Sequence, residues 1–414
     1  MRRGQRWLCG LLLSALVAAC ETDHAALEKK PGGAGGAAGS GGDSGGAGGM
    51  PTQIGGGAGG QTGGHADDEP PGSNVFTILN GVVDAPRVVL CFAKAGADGS
   101  MVPFGDPVTD KPFEYGSNLV LQGIAGAKFD ADTLQPLIIA GELDRIAGLG
   151  CEEAVARAQD EEALAIDENA HAAEAAEAGA ANDAGAPGAN SAGGHTAGSS
   201  AGTSGDGGAG GAFPVELPSR LRLRELPAIP AGTLSAGRSI LYVATGCMGG
   251  FGYDGPSSAE YCGEGYTEQA PTLSAMLVSL SRRTMVGAAG IQFLHASLAT
   301  PQVDLSSRPP LPSQDTGITL ASGARPGQLL PHSANLSHPA SEFGVTRLYE
   351  LAILGDGTVL TAQPWTAALA RGGVSALTDG VTNAVVLLGP RADHTSPTNL
   401  WNPSLITVIP VEGQ

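Results

Sequence analysis

The chain contains the same succession of short segments twice, and that repeat constrains its fold more than its composition does. "FTILNGVVDAPRVVLC" (76–91) lies over "IQFLHASLATPQVDLS" (291–306), so that Leu79 meets Leu294, Pro86 meets Pro301, Val88 meets Val303 and Leu90 meets Leu305. "TLSAGRSILYVATG" (233–246) lies over "ALTDGVTNAVVLLG" (376–389), which matches Leu234, Gly237, Val243 and Gly246 with Leu377, Gly380, Val386 and Gly389. "PTLSAMLVSL" (271–280) then lies over "PSLITVIPVE" (403–412). Self-similarity in one order implies duplication and two similar folds.

The repeated segments read as strands. They are short β-branched runs bounded by Gly, Pro, Asp and Ser, such as "RVVLCFA", "PLIIAG", "SILYVATG", "TRLYELAIL" and "NAVVLLG". Pro86 and Pro301 mark a corner between two strands, because proline cannot donate to a ladder. "GDGT" (355–358) is a tight hairpin signal. Many short strands punctuated by turns predict an all-β sandwich or barrel.

The remaining segments are not core-forming. Residues 31–64 are nearly all Gly, Ala and Ser; such a run buries nothing and acts as a tether, with a reach of about 40 Å for about 50 residues. Residues 152–212 interrupt the first copy, Ala/Glu-rich and then Gly/Ser-rich. Val155, Leu164 and Ile166 are nearly the only large apolar side chains of the first half, a stripe too narrow for firm docking. The expectation is a solvated, partly formed helix, a segment 158–210 dispensable for folding, and solvated His171 and His195. The expected organisation is a leader at 1–19, the tether at 20–72, a first sandwich at 73–286 carrying the insert, and a second at 287–414.

The leader has a basic start (Arg2, Arg3, Arg6), a short apolar run and "LVAAC" closing on Cys20. This pattern resembles the bacterial lipobox. The resemblance implies cleavage before Cys20, acylation of that cysteine and anchoring to a membrane leaflet without spanning it. The expected location is the envelope of a Gram-negative bacterium, at the outer membrane, periplasmic or surface-facing. A formal charge of −19 argues against nucleic acid and against binding anionic lipid by charge.

Of six cysteines, Cys9 leaves with the leader and Cys20 is the lipid site. Cys91, Cys151, Cys247 and Cys262 remain. An even number in an exported chain suggests two disulfides rather than zinc, for which there is no C-x-x-C and no histidine beside a cysteine pair. Four cysteines allow three pairings. Proximity in sequence favours Cys247 with Cys262, leaving Cys91 with Cys151.

"FLHASLATPQVDL", with the later "L-x-x-G … V-x-x-x-G", resembles the domain of unknown function 4397 family. Its members typically open with a valine-rich strand followed by His-Ala-Ser-Pro-Asp-Ala-Pro and Val-Asp-Val. The second block carries His295, Ala296, Ser297, Pro301, Val303 and Asp304 of the pattern and departs from it at Leu298, Ala299 and Thr300. The first keeps Asp84, Ala85 and Pro86 but has Asn80, Gly81 and Val82 for His-Ala-Ser. The resemblance implies two tandem immunoglobulin-like β-sandwich domains in an exported bacterial protein, and it carries no enzymatic activity.

Three constellations are candidates for function. His295, Ser297 and Asp304 would serve a hydrolase if the serine had its base within hydrogen-bond reach. The first copy has Asn80, Val82 and Val89 at those positions, and Ser297 does not stand in a G-x-S-x-G. Backbone pairing at a corner accounts for them equally well. Asp130 and Asp132 in "FDADT" stand too isolated for calcium, so a solvated turn is expected. "CMGGFGYDGPSSAEYCGEGY" (247–266) holds three of the chain's six tyrosines. Phe251, Tyr253, Tyr261 and Tyr266 on this Gly-rich loop are the expected binding residues, for an envelope polysaccharide or a surface protein. No cofactor and no metal is expected. The overall expectation is a lipid-anchored, non-enzymatic binding or cell-surface structural module; the alternative is an envelope hydrolase using His295 and Ser297.

Overall fold

A computed structural model describes residues 75–109, 111–164, 171, 220–234, 237–250, 258–310, 317–332, 335–392 and 401–411. Cys20, Phe251, Tyr253, Ile166 and His195 lie outside them. The described chain is all-β in architecture, with four sheets and a few short helices. The described residues belong to one compact unit.

The first copy supplies β1 (Val75–Val82), β2 (Arg87–Ala95), β3 (Met101–Phe104), β4 (Phe113–Glu114), β5 (Asn118–Leu121), β6 (Leu134–Ala140), β7 (Arg222–Glu225), β8 (Ser239–Gly246) and β9 (Ser274–Leu280). The second supplies β10 (Ala289–His295), β11 (Val303–Arg308), β12 (Ile318–Ala324), β13 (Leu329–Leu330), β14 (Leu336–His338), β15 (Glu350–Gly355), β16 (Thr358–Pro364), β17 (Thr382–Leu388) and β18 (Leu405–Pro410). Each copy forms one inner and one outer sheet. The inner sheets run β5-β1-β8-β9 and β13-β10-β17-β18; the outer ones run β3-β2-β6-β7 and β12-β11-β15-β16. Strand for strand the order is the same. In both inner sheets the first strand of the copy pairs in parallel with its penultimate strand, β1 with β8 and β10 with β17, while all other pairings are antiparallel.

Within each copy the two sheets pack face to face. Phe76, Ile78, Ile240, Tyr242 and Ala244 meet Val88, Leu90, Phe92, Ile138 and Ala140 in the first. Ile291, Phe293, Val385 and Leu387 meet Val303, Leu305, Leu351 and Ile353 in the second. The opposite faces of the two inner sheets are also apolar, and they pack on each other. Leu79, Leu241, Val243 and Leu280 share a core with Leu294, Ala296, Ala384, Val386, Leu388 and Ile409. The fold is thus four layers of sheet, and the inner sheets are buried on both faces. This is why β1, β8, β10, β17 and β18 are buried at every position and read as continuous apolar runs rather than alternating ones.

The contacts between the inner sheets come in related pairs. A Cβ on Gly81 would lie 2.7 Å from Leu388 Cδ2, so glycine is needed for this approach. Ala296 and Thr245 are the repeat counterparts of Gly81 and Leu388, and Thr245 Oγ1 donates to the Ala296 carbonyl at 2.6 Å. Residue i meets j, and the counterpart of j meets the counterpart of i, as in an isologous dimer interface. The registers correct one detail of the sequence alignment. Tyr242 pairs with Leu277 and its counterpart Val385 pairs with Val408, so the last segment of the repeat aligns one residue away from the superposition of Pro271 on Pro403. In a strand that slip exchanges the two faces. Met276 and Val278 pack in the shared core, as does Ile409, the true counterpart of Val278.

The insert also departs from expectation. Residues 151–164 form a helix, α1, docked on the outer face of the β3-β2-β6-β7 sheet. Cys151, Ala154, Val155 and Ala158 are buried there against Cys91, Leu137, Ile139 and Leu223. Of the anticipated apolar stripe, Val155 docks and Leu164 is 61% exposed. The docking surface is made of small residues, which let helix and sheet approach closely; counting only large side chains concealed it. Glu152 and Glu153 in the first turn complement the helix dipole. The helix is fastened at its start and again three turns on. Cys151 is joined to Cys91. Buried Glu161 accepts from Arg145 and from the Leu221 amide, each at 3.0 Å, and Glu162 pairs with Arg224 at 2.6 Å. Ala158, Glu161 and Glu162 therefore belong to the fold rather than to a removable segment.

Two outcomes are expected. Ala158→Leu should overpack the helix–sheet contact and cost about 1–3 kcal/mol of unfolding free energy in denaturant titration; an unchanged midpoint would mean that α1 does not bear on the sheet. Because the copies share a core, they should unfold as one: near-UV signal from Trp365 and far-UV circular dichroism should share one midpoint. Val243→Ala should move both signals together, and a midpoint shift in only one of them contradicts the shared core.

Candidate functional site

Of the residues singled out in the sequence, His295, Ser297, Tyr261 and Tyr266 gather at one end of the inner sheets, where the β1–β2 and β10–β11 corners meet the loops leaving β8 and β17. His295, at the end of β10, is fully buried beside Phe293, with ring centroids 6.3 Å apart. Its Nε2 lies 2.9 Å from the Pro301 carbonyl oxygen. A carbonyl only accepts, so Nε2 carries the proton, and Nδ1 is left buried with no hydrogen-bond partner. Burial pushes the imidazole pKa below its ordinary value, partly offset by backbone hydrogen bonds. His295 is thus a neutral ring that ties the corner together.

Ser297 is equally committed. Its Oγ lies 2.7 Å from Thr300 Oγ1 and 2.7 Å from the Gly389 carbonyl oxygen, and it accepts from the Thr300 amide. No bond joins it to His295. Asp304, on β11, accepts from the Gly323 amide at 2.7 Å, which pins the irregular β11–β12 pairing rather than orienting an imidazole. The three residues are neighbours in sequence and separate in function.

The first copy makes the corresponding bonds with different residues. Asn80, the counterpart of His295, donates to the Phe113 carbonyl and accepts from the Val82 amide. Asp84 accepts from the amides of Met248 and Gly249 at 2.8 and 2.9 Å. In the second copy Thr300 Oγ1 accepts from the Ala392 amide at 3.0 Å. Gly249 and Ala392 are repeat counterparts, so Asp84 and Thr300, which stand one position apart in the repeat, hold equivalent amides. In each copy a corner side chain holds the loop that leaves the inner sheet. Sequence reasoning assigned neither of them this role. The signal was there in Asp84-Ala85-Pro86, a polar residue next to a proline corner, but its partner amides lie more than 160 residues away.

The tyrosine loop occupies the same end. Cys247 is joined to Cys262, at the end of a short helix, α2 (Ser258–Cys262). Tyr261 and Tyr266 are 4% and 5% exposed, which corrects their assignment as outward binding residues. Tyr261 stacks on Trp401 with ring centroids 5.2 Å apart and 4° between planes, and Tyr266 meets the same ring edge-on. Trp401 belongs to the second copy. With Val83, Cys247 and Cys262 these rings form a small core between the copies. Asn402 completes the clamp, donating from Nδ2 to the Val82 and Ala85 carbonyls and from its backbone to Val83. Nearby, Tyr115 donates to the Pro403 carbonyl at 2.9 Å. The physical reason for the miss is that tyrosine-rich loops serve recognition and packing alike; a tryptophan 140 residues downstream decides between them.

Asp130 and Asp132 lie in a turn between β5 and β6. Asp132 accepts from the Lys128 amide, closing a turn, and among the described residues no group of three His, Cys, Asp or Glu side chains is placed to hold a metal. No helix of the described residues is long and apolar enough to cross a membrane. The chain matches no family model and no curated protein.

Asp84 offers a pH test of the corner. Burial, opposed by the Met248 and Gly249 amides, raises its pKa from 3.8 to about 6. Between those values the native state holds more protons than the unfolded chain, so this contribution is fully present below pH 4 and is lost as pH rises through 6. The loss is on the order of 3 kcal/mol. Asp84→Asn does not titrate, so its stability relative to wild type should improve between pH 4 and pH 7. A difference that stays flat across the range contradicts the buried carboxylate.

Proposed function

We propose that the chain is a lipid-anchored protein of the bacterial cell envelope whose folded part is a non-enzymatic structural or binding module. The observation that carries the non-enzymatic reading is the double use of the corner. In both copies the polar residues there bond backbone groups of their own fold, and His295 and Ser297, on which the hydrolase alternative depends, have separate partners. The short motifs around His295 and Asp84, together with the common strand order of the copies, support two divergent immunoglobulin-like sandwiches of the domain of unknown function 4397 kind. The exported setting is supported by the leader ending in "LVAAC" and by the two buried disulfides.

The partner this reading favours is an envelope polysaccharide or a surface protein, met at the end of the Gly-rich tether. With Tyr261 and Tyr266 enclosed, the aromatic residues left for such a contact on that loop are Phe251 and Tyr253.

Cell fractionation tests the anchor: wild type should sediment with membranes and incorporate radiolabelled palmitate, and Cys20→Ala should do neither. A Cys20→Ala protein retained in membranes at the wild-type level removes the lipid assignment. The same preparations test the hydrolase alternative. A fluorophosphonate probe should leave wild type unlabelled; labelling that disappears in Ser297→Ala would reverse the non-enzymatic reading.

A further inference from the structure

The two inner sheets end in equivalent edge strands, β9 and β18, and the chain treats them differently. On β18 the outward groups of Ile406 and the Val408 carbonyl are covered. The Ile406 amide donates to Gln363 Oε1, the Ile406 carbonyl accepts from Arg371 at 2.7 Å, and Gly372 abuts the Val408 carbonyl so closely that a Cβ there would lie 1.6 Å from its oxygen. These residues come from the end of β16 and from α3 (Trp365–Arg371), a helix packed along β18. The first copy has no such helix between β7 and β8 among its described residues.

By the pairing registers, Ala275 corresponds to Ile406 and Leu277 to Val408. The groups that β9 directs away from its sheet are therefore those of Ala275, Leu277 and Ser279. No partner for them exists among the described residues. Native edges are normally blunted by a bulge, a proline, a charge or short length. β12 and β16 are the other long edge strands; the first has two register breaks against β11, the second a register break and a terminal proline. The remaining edges on the ordered paths, β3, β5, β7 and β13, have four residues or fewer. β9 has seven residues in unbroken register, "SAMLVSL", with Leu277 38% exposed.

We propose that β9 is a strand-pairing surface and that its occupant is a second copy of this chain, paired antiparallel about Leu277. The outward positions are symmetric about that residue: Leu277 meets itself and Ala275 meets Ser279. Each is a hydrogen-bonded pair, which gives about six backbone hydrogen bonds and joins the β5-β1-β8-β9 sheets of the two protomers into one. The electrostatics select this edge for self-association. The chain carries a net charge of −19, yet residues 269–281 contain no charged side chain, so two copies meet here without opposing carboxylates. The pairing also places the two half-exposed Leu277 side chains side by side on one face of the joined sheet, as a cross-strand pair.

Sedimentation velocity on the purified full chain, from low micromolar to sub-millimolar concentration, tests this. The mass should rise from monomer to dimer. Leu277→Lys and Ser279→Lys, each placing a charge at the edge, should weaken the dimer at least tenfold while the thermal midpoint holds. A wild type that stays monomeric throughout overturns the proposal, as does a dimer that persists unchanged in the folded lysine variants. Should both lysine variants fail to fold, Leu277→Cys decides: an intermolecular disulfide at that position, with none formed by Thr361→Cys on the β16 edge, supports the pairing. Equal cross-linking at both positions, or none at Leu277→Cys, overturns it.

Discussion

The apolar contact between the two inner sheets is the constraint on which the rest of the molecule depends. Leu79, Leu241 and Val243 of one copy and Leu294, Val386 and Leu388 of the other have no alternative burial, because the opposite faces of their sheets are already taken up by the outer sheets. Exposing that shared face would leave two flat apolar sheets in water, each a large adhesive patch. The fold therefore behaves as an internally fused dimer. Its close approaches, Gly81 at Leu388 and Thr245 at Ala296, recur across the relation between the copies.

The corners and loops at one end serve that contact. Trp401 from the second copy inserts beside the Cys247–Cys262 disulfide of the first, and Asn402 closes on the first corner through three hydrogen bonds. Asp84 and Thr300 hold the two exit loops in place. What looks in sequence like a constellation of reactive groups is a set of polar residues satisfying backbone groups that burial has removed from water, where an unmade hydrogen bond costs about 1–3 kcal/mol. The same logic holds for α1, whose carboxylates Glu161 and Glu162 reach Arg145, the Leu221 amide and Arg224.

Much of the fold was legible. Strand runs, proline corners and the repeat marked two copies of an all-β unit, and the matched segments 76–91 and 291–306 fall on equivalent strands in register. The last segment slipped by one residue because its prolines, 271 and 403, attracted the alignment while the ladders obey side-chain facing. The candidate site was less legible. The tyrosines at 261 and 266 point inward only because Trp401 arrives from a distant part of the chain, and Asp84 gains its role from amides across the first copy. The docking of Ala154 and Ala158 depends on close approach, which no measure of side-chain size along one helix records.

The sequence by itself determined the class of the fold, its duplication, the Gly-rich and charged composition of its connecting segments, and the residues that had to form strands. These follow from local rules: side-chain period, proline and glycine geometry, and composition. The tertiary structure alone decided that the copies stack through their inner sheets, that His295 and Ser297 part company, that the insert begins with a docked helix, and that β18 is covered by α3 while β9 has no such cover among the described residues. Each of these depends on which surfaces meet across long sequence separations, and a face that is apolar on its own strand does not state what will cover it.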